Sequence, residues 1–308
     1  MALVTDRRSV LAGLALIGLG ACERRTESAA ESAPRPARDV AFDLADLERD
    51  NGGRIGLSAL AGQRASWRAD ERFNYCSTFK LFLAAAMLER IQRGEENADR
   101  AVAITAADMI SHAPVTETAV GQTMTLTALM KATVEVSDNP AANILIRELG
   151  GLDSLRSWYR RAGDDMTRVD RMEPLMNVKD GDKDTTLPFQ AAKNLGWILE
   201  VYQPLRFQSR YRPLWDWLID SPTGDKRIKA GVPAGWTVAH KTGTGGTGQT
   251  NDIGVVYPQA GDPIPVAVFY DAPATLAPEK RDAVIAEATR RALAALGHVA
   301  APGQGAAT

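Results

Sequence analysis

Apolar residues change their spacing four times along this chain. Phe42-Asp43-Leu44-Ala45-Asp46-Leu47-Glu48 carries a helical period, and Asn51-Gly52-Gly53 ends it. Arg54-Ile55-Gly56-Leu57-Ser58-Ala59-Leu60 then alternates, as a strand does. Gly62-Gln63 make a turn, and Ala65-Ser66-Trp67-Arg68 begins a return strand. From Ser77 to about Trp217 the spacing is mostly helical, over 77–93, 105–109, 125–136, 139–150, 152–161, 188–202 and 211–219. From Trp236 the pattern turns back to β, over 237–242, 251–257 and 264–270, and a last helix spans about 278–296. This order predicts an α/β (α+β) fold: one antiparallel sheet built from both ends of the chain, flanked by terminal helices, with an all-helical lobe inserted. The expected boundaries are an α/β lobe of 41–70 and 220–300, a helical lobe of 71–219, and a disordered tail of 301–308. A cleft between two lobes is a usual place for a small-molecule site.

Composition narrows the function classes. Of 308 residues, 45% are hydrophobic and 24% charged, which is ordinary globular usage with ample core. The formal net charge of -2 implies no general attraction to nucleic acid or to an anionic membrane, so no nucleic-acid partner is expected. His112, His240 and His298 are scattered, and Cys22 and Cys76 lie far apart. No cluster has metal-ligand spacing, so neither a metal nor another cofactor is expected.

The N-terminus reads as an export signal over 1–21. Arg7-Arg8 precede the short apolar run from Ser9 to Ala21, and the arginine pair resembles a twin-arginine signal. Leu19-Gly20-Ala21-Cys22 resembles a bacterial lipoprotein cleavage box, with Cys22 as the lipidated first residue of the mature protein. The alternative is plain cleavage near Ala21 with Cys22 incidental. Either way the mature protein is expected outside the cytoplasm, in the periplasm, with lipidation adding a membrane tether. Residues 22–40 are polar and rich in Ala and Pro, as a flexible tether is.

Ser77-Thr78-Phe79-Lys80 opens a strongly helix-forming run, Leu81-Phe82-Leu83-Ala84-Ala85-Ala86-Met87-Leu88. Residues three apart share a helix face, which puts the Lys80 ammonium within reach of the Ser77 hydroxyl. A helix N-terminus also offers unpaired N–H groups to an oxyanion. Alone this motif is weak, because a surface Ser-x-x-Lys is the commoner occurrence. Ser137-Asp138-Asn139 falls between two helical patterns, where an ordinary N-cap is the plainer reading. Lys241-Thr242-Gly243-Thr244-Gly245 ends a strand, as a hairpin turn does.

The three motifs occur in one order, on a predicted helix, loop and strand. Together they resemble the signature of the penicillin-binding proteins and class A β-lactamases. The resemblance covers roughly 41–298. Asp170-Arg171-Met172-Glu173-Pro174-Leu175-Met176-Asn177 further resembles the omega loop of the class A serine β-lactamases, in which a Glu and an Asn hold the hydrolytic water. A DD-peptidase or a penicillin-binding receptor domain would use Ser77, Lys80, Ser137 and Lys241 without needing Glu173.

The resemblance implies hydrolysis of penicillin- and cephalosporin-type β-lactams through a Ser77 acyl-enzyme, hence antibiotic resistance, by a monomer. Ser77 would attack the carbonyl, with Lys80 or Glu173 as the base. The backbone N–H groups of Ser77 and Thr244 would form the oxyanion hole. Ser137, assisted by Lys241, would pass a proton to the ring nitrogen. Asn139 would bind the substrate amide, and Glu173 with Asn177 would position the deacylating water. Lys241, Thr242, Thr244 and Arg227 would meet the substrate carboxylate. His112 falls where relatives carry an aromatic wall; Arg227 and His112 each also read as a solvated surface group. Arg171 and Asp184 resemble the ion pair closing the omega loop, which here is two residues shorter than the common pattern, with Met172 replacing a frequent Trp. Cys76 has no partner at Gly245, where carbapenemases of the class carry the bridging cysteine, so a buried free thiol is expected.

Overall fold

Ten strands and nine helices run in chain order through the described residues of a computed structural model, 38–202 and 212–298. The strands are β1 (Arg38–Asp39), β2 (Arg54–Ala61), β3 (Gln63–Trp67), β4 (Phe73–Asn74), β5 (Ala101–Ala103), β6 (Thr123–Thr125), β7 (Thr185–Thr186), β8 (Thr237–Thr244), β9 (Gln249–Tyr257) and β10 (Ile264–Asp271). The helices are α1 (Ala45–Asn51), α2 (Phe79–Gln92), α3 (Leu126–Glu135), α4 (Asn139–Leu149), α5 (Leu152–Arg161), α6 (Pro188–Tyr202), α7 (Arg212–Ile219), α8 (Ile228–Gly231) and α9 (Pro278–Ala295).

Six strands form one sheet in the order β1-β3-β2-β10-β9-β8. N-terminal and C-terminal strands meet at β2–β10, where Ser58 pairs with Ala267. All pairings are antiparallel except the short β1–β3 pair. Side chains alternate between two buried faces. Val266, Val268 and Tyr270 of β10 join Leu44, which precedes α1, Leu47 of α1 and Val284 and Ile285 of α9 in one apolar cluster. Ala267 and Phe269 join α2, α3, α4 and α6 in the other. Gly56 of β2 lets the second layer close on the sheet: a Cβ there would lie 2.3 Å from the Phe73 ring and 2.7 Å from Pro188.

Three features depart from the sequence expectation. Arg38–Asp39 pair with Gln63–Arg64, so ordered structure begins inside the segment read as tether. Two short ladders, β4–β7 of two residue pairs and β5–β6 of three, lie within the region read as helical. Such strands are too short to show a period. The 105–109 pattern is a single 3₁₀ turn, Ala106–Asp108. The signal segment, Cys22, the tether up to 37 and the tail 301–308 lie outside the described residues.

Candidate active site

Every residue from Phe79 to Leu88 is buried, which makes α2 the hub of the helical layer. Lys80 is the one charge in that run and is fully buried. A buried ammonium is tolerated when acceptors surround it. Here Asn139 Oδ1 lies at 2.5 Å, Ser137 O at 2.7 Å, Glu173 Oε1 at 3.0 Å and Ser137 Oγ at 3.2 Å. Burial pushes the Lys80 pKa down, and the charge of Glu173 opposes that shift.

Ser77 sits in a 3₁₀ turn, Cys76–Thr78, just before α2. Its hydroxyl donates to Glu173 Oε1 at 3.3 Å. The expected approach of Lys80 to the Ser77 hydroxyl is therefore redirected. The ammonium's hydrogen bonds go instead to Ser137, Asn139 and Glu173.

Glu173 comes from the loop between α5 and β7 and is buried. Asn143 clamps its backbone: Glu173 N donates to Asn143 Oδ1 at 2.9 Å, and Asn143 Nδ2 donates to Glu173 O at 2.9 Å. Asn177 Nδ2 donates to Glu173 Oε2 at 2.6 Å. Asn177 Oδ1 is buried and has no hydrogen-bond partner among the described residues. Arg171 and Asp184 fasten the ends of this loop. Asp184 Oδ2 accepts from Arg171 Nε at 2.5 Å, and Asp184 Oδ1 accepts from the backbone N–H groups of Asp170 and Arg171. Arg171 also donates to Val178 O at 2.7 Å.

The Ser137 loop is held by Asp138, which caps α4 through Ala141 N and accepts from Val115 N, Thr116 N and Thr116 Oγ1. With both oxygens occupied, Ser137 is left in the left-handed region at φ 60, and its backbone carbonyl points at Lys80. Of the five non-glycine residues with positive φ among the described residues, Cys76, His112, Ser137 and Asp184 all belong to the cleft or its support. Such backbone costs about 1–3 kcal/mol per residue and persists where surrounding contacts over-determine it.

The opposite wall is β8. Lys241 is fully buried and donates to Thr242 O at 3.0 Å. Burial, reinforced by the charge of Lys80, brings its pKa down to about 7, with Asp252 and Glu173 opposing. Gly243 lets β8 approach the serine turn, since a Cβ there would lie 3.1 Å from Ser77 N. Thr242 Oγ1 is 2.9 Å from Thr223 Oγ1. Arg227 is not a free solvated charge. Its guanidinium donates to Asp282 Oδ1 at 2.7 Å, Asn251 O at 2.8 Å, Thr244 Oγ1 at 3.0 Å and Gly243 O at 3.2 Å. His112 is exposed, with Nε2 at 2.9 Å from Val136 O.

Ser77, His112, Ser137, Asn139, Asn177, Arg227, Thr242 and Thr244 line one cleft of about 470 Å³. Lys80, Glu173 and Lys241 lie just beneath its surface. Cys76 is a buried free thiol that donates to Asn74 Oδ1 at 3.0 Å, and burial pushes its pKa up. A Cβ on Gly245 would lie 3.1 Å from its sulfur.

Sequence reasoning missed Asn143 and Asp282. Asn143 follows Asn139 by four residues on α4, on the same helix face, and that spacing was the available signal. Asp282 lies 55 residues from Arg227, and nothing local announces the pair.

Comparison with known proteins agrees with this geometry. Residues 39–296 match the model of the β-lactamase enzyme family. The chain is 39% identical over 273 residues to β-lactamase L2 of Stenotrophomonas maltophilia, covering 87% of this chain and 89% of that protein. Among solved structures, the last common ancestor of Gram-negative bacteria class A β-lactamase matches with TM-score 0.77 and 44% identity over 82% of this chain and 97% of its own. A class A β-lactamase from Mycobacterium abscessus matches with TM-score 0.76 and 44% identity, covering 82% and 98%. With whole-domain coverage in sequence and structure, the chain belongs to the β-lactamase enzyme family, in class A.

Proposed function

We propose that this cleft hydrolyses the cyclic amide of penicillin- and cephalosporin-type antibiotics through an acyl-enzyme on Ser77, and so confers resistance. One observation carries the reading of its machinery: Glu173 Oε1 stands 3.3 Å from Ser77 Oγ and 3.0 Å from Lys80 Nζ. A single carboxylate oxygen thus reaches both the nucleophile and the cation that would stabilise it.

Ser77 Oγ attacks the β-lactam carbonyl and its proton passes to Glu173, the group its hydroxyl already donates to. Lys80, paired with Glu173, stabilises the charge. The oxyanion is received by the N–H groups of Ser77 and Thr244. The amide nitrogen leaves with a proton from Ser137, which regains one from Lys80 Nζ at 3.2 Å, and Lys80 takes in turn the proton held by Glu173 at 3.0 Å, leaving Glu173 an anion for deacylation. Lys241 supports that transfer electrostatically. The substrate carboxylate meets Thr242, Thr244, Lys241 and Arg227, and Asn139 binds the side-chain amide of the drug. Deacylation requires a water between Glu173 and the ester. The unpartnered Asn177 Oδ1 supplies an acceptor for such a water, and its buried position supports that role. His112 forms a low wall, smaller than a larger aromatic ring, at the mouth.

The mature protein is proposed to act outside the cytoplasm as a monomer, tethered through acylated Cys22. Peptide mapping that finds unmodified Cys22 in the secreted protein would remove the tether. For the chemistry, nitrocefin is the test. Sustained turnover by the wild type, abolished in Ser77→Ala, is expected. A single stoichiometric burst in the wild type would instead indicate a penicillin-binding receptor.

A further inference from the structure

Behind the cleft, on the face of β8 opposite Lys241, a histidine and an aspartate form a fully buried pair that the proposed chemistry does not use. His240 Nδ1 lies 2.9 Å from both Asp252 Oδ1 and Asp252 Oδ2, and neither side chain is exposed. The space for the ring is built in. Gly254 is directly across from His240, and a Cβ there would fall 2.7 Å from its Cα and Cβ. Gly224, with φ +77, closes over the ring, where a Cβ would lie 3.0 Å from His240 Cε1.

The proton on Nδ1 must face the carboxylate, so the imidazole donates to Asp252. His240 Nε2 is buried and has no partner among the described residues. With no acceptor there for a second N–H, the fit is to a neutral ring beside an aspartate anion.

Asp252 has two further connections. Its Oδ2 accepts from Ile228 N at 3.1 Å, at the start of α8 and next to Arg227. It is also the strongest of the anions favouring the Lys241 cation. The charged groups around Lys241 are Asp252 and Glu173, which favour its proton, and Lys80 and Arg227, which oppose it. Resting on the β-lactamase reading of the cleft, we propose that His240 and Asp252 are positioning residues for recognition of the substrate carboxylate. Asp252 sustains the charge of Lys241 and anchors the segment bearing Arg227, and His240 fixes the orientation of that aspartate.

The test uses benzylpenicillin and its methyl ester, which differ only in the carboxylate. In Asp252→Asn, the basic limb of kcat/KM for benzylpenicillin should move down by about one pH unit. KM should rise about tenfold while kcat changes less than about threefold. Hydrolysis of the ester, which meets the Lys241 charge only through the Ser137 transfer, should fall by no more than about threefold. His240→Asn, which keeps an amide donor for Asp252, should stay near wild type, and His240→Leu should resemble Asp252→Asn. If Asp252→Asn does not fold, the two His240 variants carry the same comparison. Equal losses on acid and ester, or an unmoved basic limb, would overturn the positioning role while leaving the β-lactamase reading intact. A wild type that turns over neither compound would overturn the reading, and the proposal with it.

Discussion

Two lysines are fully buried within one cleft, yet their surroundings differ. Lys80, on the helical side, has four oxygens around its ammonium, one of them the carboxylate of Glu173. Lys241, on the sheet side, donates to one backbone carbonyl, and its pKa falls to about 7. Burial disfavours both charges. What differs is the supply of acceptors at contact distance. One lysine is locked into a network, and the other is held by longer-range charge and stands poised for an incoming anion. On the proposed mechanism the arrangement divides the labour: the Ser77 turn, α2 and the Glu173 loop run the covalent chemistry, and β8 with Arg227 recognises the carboxylate.

Lys80→Ala should produce the largest effect, because it removes a cation from a set of converging oxygens. A loss of about 10³-fold or more in kcat/KM for nitrocefin is expected. Survival of activity within about tenfold would show that Lys80 only fills space. Asp184→Asn comes next. It takes the charge from a buried pair whose partner, Arg171, would remain, and it should lower stability by about 3 kcal/mol in urea denaturation. Loss of a loop fastening rather than of core should leave the denaturant slope unchanged.

The two ends of this comparison were not equally legible in the sequence. Ser77, Lys80, Ser137 and Lys241 could be read from motif order, and the alternation of β8, β9 and β10 announced the strands that carry or support them. The 3₁₀ turn under Ser77 was not legible. It places the serine hydroxyl against Glu173, and the close approach of β8, where a Cβ on Gly243 would lie 3.1 Å from Ser77 N, is a tertiary contact that the local sequence does not show. Asp282 was illegible, and Asn143 showed only its helix spacing from Asn139, for a related reason. Each acts through a partner 30 or more residues away, on an element whose register is fixed by tertiary contacts. Met172 and the two-residue shortening depart from the common loop pattern, and Arg171 and Asp184 still meet at 2.5 Å.

The lysine contrast has a pH signature. Lys241 binds its proton less tightly folded than at the ordinary lysine value of 10.5. Between pH 7 and that value the unfolded chain holds more protons, so Lys241's contribution makes the fold more stable as pH rises. Carboxylate recognition needs the cation, so kcat/KM for benzylpenicillin should fall over the same range, about tenfold per unit well above pH 7. Activity and melting temperature moving in opposite directions between pH 7 and 9 is the expected outcome. Activity that holds flat to pH 9 would place the Lys241 pKa well above 7. The smallest effect is expected at Asn177→Ala, which removes a donor to Glu173 Oε2 and the unpartnered Oδ1. A loss of about ten- to a hundredfold in deacylation is expected, read in stopped-flow, with acylation little changed.

Intact-mass spectrometry of Glu173→Ala mixed with benzylpenicillin tests the role of Glu173 most directly. Without Glu173 the buried Lys80 loses the charge that favours its proton and takes the Ser77 proton instead, so a slower acylation still gives an adduct carrying the full mass of the drug, located on Ser77 and persisting for minutes. An adduct that clears as fast as in the wild type would show that Glu173 is not the base for the deacylating water.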